Sequence, residues 1–476
     1  MIGRVLGALL AAGLLLATAP AVQAATKPPA KWNPRVREFV RFVEKDRDLK
    51  FAHPVAVAFL DDAAFVKALD AGGEPTKQDR IDAEHDAAQL RAVGMIGPGV
   101  DLIGAQGGID DTTTTGFYDP DTKKLYVRGD DLADTDVKLT IVHELTHALQ
   151  DQHFDLNRLD RKVRDSGQSF AEDALIEGDA TTVENDYFFT LPQREQDAYN
   201  DAFDDPSDDA AAGDSATVPD DADAAITDAP VLAAYDSAPY DYGSQFVTFV
   251  IDDRGTEAVD TLFRTLPRSE EQVIDPVATH RREEPLAVAT PNLAAGEQAV
   301  GDPDVWGAYS LYMMLAPRID LATALEAANG WGGDAYRAFT RADGTECVRA
   351  AFEGDESSDT DEIAAALDLW AAAMPPGGVE TAVVGNTATF TACDVGEITA
   401  PEQERVDAAS DLLYDRNHFA AGLIADGAPF ALARCAGGKM ALDPEVVGLE
   451  RGDTSTKADK ARATELVQQY VRECQT

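Results

Sequence analysis

The strongest constraint on the fold is a pair of histidines four residues apart, His143 and His147, in the segment "LTIVHELTHALQ" (139–150). Residues at positions i and i+4 lie on the same face of an α-helix. Apolar residues flank the motif, and Thr135 or Asp136 is suited to cap the first turn. The sequence therefore predicts a helix from about residue 135 that presents both imidazoles on one face.

Glu144, next to the first of these histidines, gives the pair a specific chemistry. Two imidazoles on one helix face can hold one Zn²⁺ at about 2.0–2.1 Å. Glu144 can then take a proton from a water molecule that the metal activates. The pattern H-E-x-x-H also occurs by chance, but here it lies on a capped helix after a predicted hairpin. We predict one Zn²⁺ per chain, with His143 and His147 as ligands and Glu144 as general base.

A catalytic zinc needs a third protein ligand. His153 lies six residues after His147, which is the metzincin spacing, but residue 150 is Gln where that pattern has the Gly that turns the chain. If the helix continues, His153 points about 240° around the helix axis from His147. We therefore disfavour His153 and keep the metzincin-like arrangement as an alternative.

The favoured third ligand is Glu177, in the segment "AEDALIEGDATTVENDY" (171–187), which predicts a second helix. Gly178 would let this helix approach the first closely, and Glu177 would complete a His₂Glu site. Asp179, or Asp173 earlier in the helix, could orient a ligating imidazole through its other N–H group. Two more carboxylates are weaker ligand candidates, interpreted as exposed or as hydrogen-bonded to a ligand: Glu172 and Glu184.

Residues 1–24 have the features of a secretory signal peptide. Arg4 precedes a short apolar run, and "VQA" at 22–24 resembles a cleavage site, so we expect secretion after cleavage near Ala24. No later segment reaches the roughly 18 apolar residues of a membrane span, so we expect no stable membrane insertion. Four cysteines in the last third of an exported chain predict two disulfides. Of the three connectivities, we favour Cys347–Cys393 and Cys435–Cys474.

The formal net charge of −46 disfavours binding to nucleic acid and to anionic membranes, since like charges repel. Residues 201–230 contain ten aspartates and no lysine or arginine, which predicts a disordered, solvated insert. Calcium binding by this insert is the alternative, although the spacing of a calcium-binding loop is absent.

Hydrophobic periodicity predicts the remaining elements. The segment "TTTGFYDPDTKKLYVRG" (113–129) indicates a β-hairpin that turns at "DPDT". Trp331 is interpreted as a core residue followed by a Gly-Gly turn. The other predictions are a mainly helical region (231–374), a strand pair (379–393) and a C-terminal amphipathic helix (457–474).

"HELTH" followed some thirty residues later by "EGDA" resembles the gluzincin clan of zinc metallopeptidases, whose third ligand is a Glu on a downstream helix. The resemblance implies His143, His147 and Glu177 as ligands and Glu144 as base. A family of poorly characterised secreted bacterial proteins is similar over most of the mature chain, although this chain has Asp275-Pro276 where "HP" is expected. The segments that carry this likeness are "GFYDPDTKKLYVRG", "HELTHALQDQHFDL", "ALIEGDAT", "FRTLPRSEEQVIDP", "AANGWGGDAYRAF" and "TACDVG".

Gluzincins often stabilise the oxyanion with a Tyr or His from the downstream domain. The resemblance therefore makes Tyr240, Tyr242 and His280 candidates for this role. The remaining histidines have no partner at ligand spacing and are interpreted as structural: His53, His85 and His418.

The predicted fold is α+β and mostly helical, with a gluzincin-like core in which a small antiparallel sheet lies over the HExxH helix. The predicted regions are a signal peptide (1–24), an N-terminal α/β segment (25–105), a zinc metallopeptidase-like region with the acidic insert (106–374) and a C-terminal region with disulfides (375–476).

The function expected from these features is that of a secreted, zinc-dependent peptidase acting on peptide or protein substrates. The alternative is a catalytically silent, zinc-containing extracellular binding or scaffold protein. Glu144 favours the peptidase, because a purely structural zinc site has no use for a general base.

Overall fold

The computed structural model describes residues 28–69, 75–204, 229–396, 398–451 and 456–475. The predicted signal peptide lies outside these residues, and so does the acidic insert apart from its two ends. Within the described ranges, no helix is long and apolar enough to cross a membrane.

The chain before the acidic insert forms eight α-helices and three strands among the described residues. In chain order they are α1 (Arg37–Asp46), β1 (Ala56–Leu60), α2 (Asp62–Leu69), α3 (Lys77–Ala92), α4 (Leu102–Thr113), β2 (Gly116–Asp119), β3 (Lys124–Arg128), α5 (Thr135–Phe154), α6 (Leu156–Asp160), α7 (Ser166–Phe188) and α8 (Gln193–Asp204).

The first three strands form a sheet in the order β1-β3-β2. Strands β2 and β3 are the predicted antiparallel hairpin, which is confirmed. In its turn, Asp119 Oδ1 accepts hydrogen bonds from the backbone N–H groups of Asp121 and Thr122 at 2.8 and 3.0 Å. Strand β1 pairs with β3 in parallel, so this sheet is mixed rather than purely antiparallel. The order leaves β2 at an edge of the sheet.

Helix α5 carries the HExxH motif and packs against this sheet. Ile141 of α5 and Leu125 of β3 are both fully buried in one hydrophobic cluster. The helix begins where the sequence predicts, but its cap is Asp134, not Thr135 or Asp136. The side chain of Asp134 accepts a hydrogen bond from the backbone N–H of Asp136 at 3.0 Å.

The chain after the insert contains helices and a second sheet. In chain order the elements are α9 (Pro230–Arg254), α10 (Thr256–Arg264), α11 (Glu271–Ile274), α12 (Pro276–Arg281), β4 (Gln298–Asp304), α13 (Ala308–Leu315), α14 (Leu321–Asn329), β5 (Trp331–Thr340), β6 (Glu346–Gly354), α15 (Ser357–Ala373), β7 (Val379–Val384), β8 (Thr387–Cys393), α16 (Gln403–Ala425), α17 (Phe430–Ala441), α18 (Pro444–Arg451) and α19 (Lys457–Glu473).

Strands β4 to β8 form an antiparallel sheet in the order β4-β5-β6-β8-β7. The strand pair predicted at 379–393 is confirmed, but the prediction that 231–374 is mainly helical missed three strands. Strand β5 is buried along nearly its whole length, so its sequence lacks the alternation that identifies a half-exposed strand. Gly332 and Gly333 follow Trp331 within this strand instead of forming a turn. A Cβ atom on Gly333 would lie 2.5 Å from the carbonyl oxygen of Leu286.

Both predicted disulfides are confirmed, Cys347–Cys393 and Cys435–Cys474. The first joins β6 to β8 at positions that face each other in the sheet. The second ties α17 to the residue that follows α19. The five-stranded sheet contains strands from both sides of the predicted region boundary at 374–375.

A buried carboxyl group, Glu270, lies against the N-terminal end of α13. Its Oε2 atom accepts a hydrogen bond from the backbone N–H of Ser310 at 2.9 Å, and its Oε1 atom accepts one from the Ser310 hydroxyl at 3.0 Å. Burial outweighs these hydrogen bonds and raises the pKa of Glu270 to about 8. The folded protein therefore retains a proton on Glu270 that the unfolded chain loses near pH 4.3.

Replacing this group, Glu270→Gln, should remove a pH dependence of stability. A raised carboxyl pKa contributes stability below the unfolded pKa, and that contribution is lost as the pH rises towards 8. The free energy of unfolding of the wild type, relative to the variant, should fall by up to ~1.4 kcal/mol per pH unit between pH 5 and 8. Urea unfolding at several pH values measures this difference, and parallel curves for the two proteins would contradict it.

Candidate metal centre

Two histidines of α5 and one glutamate of α7 converge in the interior. Nε2 of His143 lies 3.1 Å, and Nε2 of His147 lies 3.3 Å, from the same oxygen, Oε2 of Glu177. All three residues are buried. Helix α7 packs directly on α5, which places this carboxylate opposite the motif. The structure thus brings together the three residues that the sequence predicts as ligands.

The other ring nitrogen of each histidine has its own partner. Nδ1 of His147 lies 3.0 Å from Oε1 of Gln150, and Nδ1 of His143 lies 2.9 Å from Oε2 of Glu184. The amide group of Gln150 donates to the carbonyl oxygen of Ile176 and to Asp179, so its oxygen is the atom that faces His147. Both Nδ1 atoms therefore donate a proton, and both Nε2 atoms are directed at the Glu177 carboxylate.

A positive charge, either a proton on Nε2 or a metal ion, must lie between these atoms, because two lone pairs and a carboxylate oxygen repel one another. Ligand atoms around a tetrahedral Zn²⁺ are ~3.3 Å apart when each metal–ligand distance is about 2.0–2.1 Å. The observed separations of 3.1 and 3.3 Å agree with that spacing. Two imidazoles and one carboxylate are also ligand types that zinc prefers. His143, His147 and Glu177 consequently fit one zinc ion.

The shifts in the pKa values of His143 and Glu177 also indicate that this position favours a positive charge. Burial lowers the pKa of His143, but its hydrogen bonds to Glu177 and Glu184 outweigh burial and raise it well above the usual value. Burial opposes ionisation of Glu177, but the two imidazoles outweigh it and lower its pKa. The carboxylates therefore favour positive charge at the point where the three side chains meet.

Glu144 lies beside the two histidines beneath the edge strand. It is buried, and within the part of the chain that the structure describes its Oε2 atom has no hydrogen-bond partner. Burial raises the pKa of Glu144 above its usual value. Gly116 of β2 packs on this residue, since an added Cβ would lie 3.2 Å from Cγ of Glu144 and 2.4 Å from Cγ2 of Thr140. The strand thus reaches the helix only because residue 116 has no side chain.

A cleft of about 340 Å³ opens onto these residues. Its walls come from the segment that leads into β2 and from α5, α7 and α9. No lysine or arginine among the described residues lines it. The lining residues are Thr114, Thr115, Gly116, Asp136, Thr140, His143, Glu144, His147, Glu177, Glu184, Asp236, Ser237 and Tyr240.

His153 is not part of this cleft. Helix α5 continues through residue 154, and Nε2 of His153 lies 2.9 Å from the carbonyl oxygen of Lys50, to which it can donate. The metzincin-like alternative therefore has no support in the geometry, because its third histidine faces a different part of the molecule.

Only one of the three oxyanion candidates lines the cleft. The ring of Tyr240 lies 6.0 Å from that of His143. Tyr242 points elsewhere and donates a hydrogen bond to the carbonyl oxygen of Ser410 at 3.1 Å. His280 is placed outside the cleft, where it stacks on Phe430. Neither Tyr242 nor His280 is in a position to contact a substrate at this site.

The two aspartates predicted to orient an imidazole behave differently from the prediction. Asp179 does not contact an imidazole directly. It accepts a hydrogen bond at 2.9 Å from the side-chain amide of Gln150, which in turn contacts His147, and it forms an ion pair with Arg47 at 2.8 Å. Asp173 is half-buried and has no imidazole partner among the described residues, and desolvation raises its pKa well above the usual value. Gln150 and Arg47 had no identifying signal in the sequence. Glu184, which the sequence predicts to be exposed or hydrogen-bonded to a ligand, is hydrogen-bonded to Nδ1 of His143.

The three remaining histidines lie outside the cleft and have partners of their own. Nδ1 of His85 lies 2.6 Å from Glu346, and Nε2 of His418 lies 3.2 Å from Glu450. His53 lies next to the carbonyl oxygen of Pro54. These contacts agree with the interpretation that they are structural.

The position of Glu177 depends on the next residue. A Cβ on Gly178 would lie 2.1 Å from the backbone carbon of Gly243 in α9, and one on Gly243 would lie 2.3 Å from the carbonyl oxygen of Ala174. Helices α7 and α9 therefore cross with their backbones in direct contact. The sequence predicted such a close approach at Gly178, but towards α5 instead of α9.

Gly178→Ala should destabilise the protein, because the added methyl group forces α7 and α9 apart. We expect a loss of at least ~1–3 kcal/mol in the free energy of unfolding. The matched control is Gly422→Ala in α16, where an added Cβ meets nothing within 4 Å. That change should be neutral or stabilising by up to ~1 kcal/mol. Denaturant unfolding compares the two, and equal effects would contradict the prediction.

Comparison with known proteins gives one partial match. Residues 297–402 match a domain of unknown function, DUF8575. No curated protein and no solved structure matches the chain. The matched segment contains all five strands of the second sheet and none of the residues of the candidate metal centre. The match therefore carries no information about the chemistry of that centre.

Proposed function

We propose that the protein is an exported, zinc-dependent peptidase with a gluzincin-like ligand set. One observation carries the proposal: two imidazoles, each with its Nδ1 already hydrogen-bonded, direct Nε2 at one buried carboxylate oxygen. The neighbouring acid, Glu144, supports a catalytic role over a structural one. The two disulfides support export, since disulfides persist in oxidising compartments.

His143, His147 and Glu177 would hold the metal. When bound, zinc supplies a Lewis acid that polarises a carbonyl group and lowers the pKa of water. The free Oε2 atom of Glu144 accepts a proton from the attacking water and delivers it to the leaving amine. Tyr240, whose pKa burial raises well above 10, keeps its hydroxyl proton and can donate a hydrogen bond to the developing oxyanion.

The walls of the cleft indicate the type of substrate. Strand β2 is at the edge of its sheet, where an extended peptide can add as a further strand through backbone hydrogen bonds. The carboxylates of Asp136, Glu184 and Asp236 also line the cleft, without a lysine or arginine among the described residues there. Peptides with lysine or arginine near the scissile bond therefore complement the charge of the cleft.

The metal content of purified variants tests the ligand set. Wild-type protein and His153→Ala should retain about one zinc per chain after dialysis, whereas His143→Ala and Glu177→Ala should lose it. Gln150→Ala should weaken zinc binding by roughly 10–100-fold, because it removes the partner that orients His147. Zinc lost in His153→Ala but kept in Glu177→Ala would overturn the proposed site.

Glu144→Gln tests the catalytic role separately from metal binding. The variant should keep its zinc and lose roughly 10²–10⁴-fold in kcat/KM, because the amide cannot accept the proton. Cleavage of a peptide library rich in lysine and arginine, followed by mass spectrometry, measures this loss. A zinc-loaded wild type that cleaves no member would instead favour the binding or scaffold protein, and full activity in Glu144→Gln would exclude the proposed mechanism.

A further inference from the structure

A second group of carboxylates lies outside the cleft. It consists of Glu271 in α11, Glu283 after α12, and Asp355 in the turn between β6 and α15. Each contributes one carboxylate oxygen, and these oxygens all lie within 4.8 Å of one another. Glu271 is buried, Glu283 is half-buried and Asp355 is exposed. The group therefore extends from the interior to the surface and shares no residue with the zinc centre.

Glu271 makes this group more than a cluster of surface charges. The residue is only 2% exposed, and its Oε1 atom has no hydrogen-bond partner in the described parts of the chain. A buried carboxylate without a partner is costly, and buried polar groups in proteins are nearly always paired. Glu271 belongs to the same group as Glu283 and Asp355, so a cation bound by this group would balance its buried carboxylate.

The arginines nearby only partly offset the charge of the three carboxylates, because their ion pairs are with another acid. Arg434 and Arg416 both pair with another acid, Asp275, at 2.9 and 3.7 Å. Arg434 also donates to the carbonyl oxygen of Asn329 at 3.3 Å. Two guanidinium groups therefore lie near four carboxyl groups, namely the three of this group and Asp275. Asp359 adds a further acidic side chain close to Asp355. The group therefore has more carboxyl groups than basic side chains to pair with them.

We propose that Glu271, Glu283 and Asp355 bind one Ca²⁺. The ligands are all carboxylate oxygens, which hard cations prefer, whereas zinc and other softer metals favour nitrogen and sulfur. Ca²⁺ binds oxygen at about 2.3–2.6 Å, so two ligand oxygens on one ion are at most ~5 Å apart, in keeping with the separations here. The exposed side chain of Asp355 provides the path of entry from solvent, and water completes the coordination.

The ion would join two parts of the chain. Asp355 follows β6, within the segment that matches the domain of unknown function, whereas Glu271 and Glu283 precede that segment. Helix α11 in turn contacts α7, the helix that carries Glu177. Bound calcium would thus fasten the five-stranded sheet to the helices behind the zinc centre. The calcium site shares no residue with the candidate metal centre, so calcium binding there does not depend on the proposed peptidase activity.

Calcium titration of the full-length mature protein, with disulfides intact, tests this site. CaCl₂ should raise the melting temperature by roughly 3–6 °C at 100-fold excess over Kd, with a Kd on the order of 10⁻⁴–10⁻³ M. MgCl₂ at equal ionic strength should have a smaller effect. No binding at 10 mM CaCl₂, or equal effects of the two salts, would overturn the proposal.

Glu271→Gln and Asp355→Asn localise the binding. Each should weaken calcium binding at least ~10-fold, because each removes a charged ligand. Glu271→Gln preserves the shape of the buried side chain, so a cooperative melting transition without calcium shows that the variant is folded. Glu284→Gln is the matched control, because Glu284 is an exposed neighbour of Glu283 that lies outside the group. Unchanged calcium affinity in Glu271→Gln would refute the assignment.

Terbium luminescence provides a second measurement at the same place. Trp331 pairs with Gly354, the residue before Asp355, and can transfer excitation to a bound Tb³⁺. The sensitised emission should appear in the wild type and in Glu284→Gln and be lost in Glu271→Gln. Emission that persists in Glu271→Gln but disappears in Glu177→Ala would place the ion at the zinc centre and refute the second site.

Discussion

The arrangement of the candidate metal centre depends on the direct contact of helix α7 with a helix on either side. Against α9, Gly178 and Gly243 leave no room for any side chain. Against α5, Glu177 faces His143 and His147 at separations that suit a shared cation. Because protein interiors are close-packed, α7 cannot move towards one neighbour without leaving the other. The same packing therefore fixes the fold and the distance between the proposed ligands.

A chain of polar contacts extends from this centre to the N-terminal segment. Arg47, just after α1, forms an ion pair with Asp179 at 2.8 Å. Asp179 accepts a hydrogen bond from Gln150, whose side-chain oxygen accepts one from His147. Strand β1 also belongs to the same sheet as the edge strand β2. Of the described residues before position 106, none lines the cleft. The described N-terminal residues thus contact the site only from behind, through this chain of polar contacts.

An excess of acidic residues shapes both proposed ion sites. The chain has 86 acidic and 40 basic residues, so many carboxylates lack a basic partner. At the surface this excess is solvated at little cost, but a buried carboxylate needs a proton, a hydrogen bond or a cation. Glu177 has two imidazoles beside it, whereas Glu271 has an unpaired oxygen. The two groups meet the same physical requirement with different ligand chemistry, which favours zinc in one and calcium in the other.

Periodic and local signals in the sequence predicted much of the first half of the fold. The motif helix and the hairpin were found because their residues carry strong local patterns, and the two disulfides were chosen correctly among three pairings. The strands β4, β5 and β6 were missed. A strand such as β5, buried on both faces, has no alternation to distinguish it from a buried helix. The cap of α5 was assigned one or two residues too late, within the usual uncertainty of helix ends.

The sequence by itself determined that His143 and His147 share a helix face with Glu144 beside them, because that follows from helical geometry alone. It also disfavoured His153, since a continuing helix turns that residue away. Only the tertiary structure decided that Glu177 meets both histidines, that Gln150 and Glu184 hold their Nδ1 atoms, and that Tyr242 and His280 face elsewhere. The same holds for the group around Glu271, whose members are 12 and 72 residues apart in sequence. Such contacts depend on how separate helices and strands pack, which no local pattern encodes.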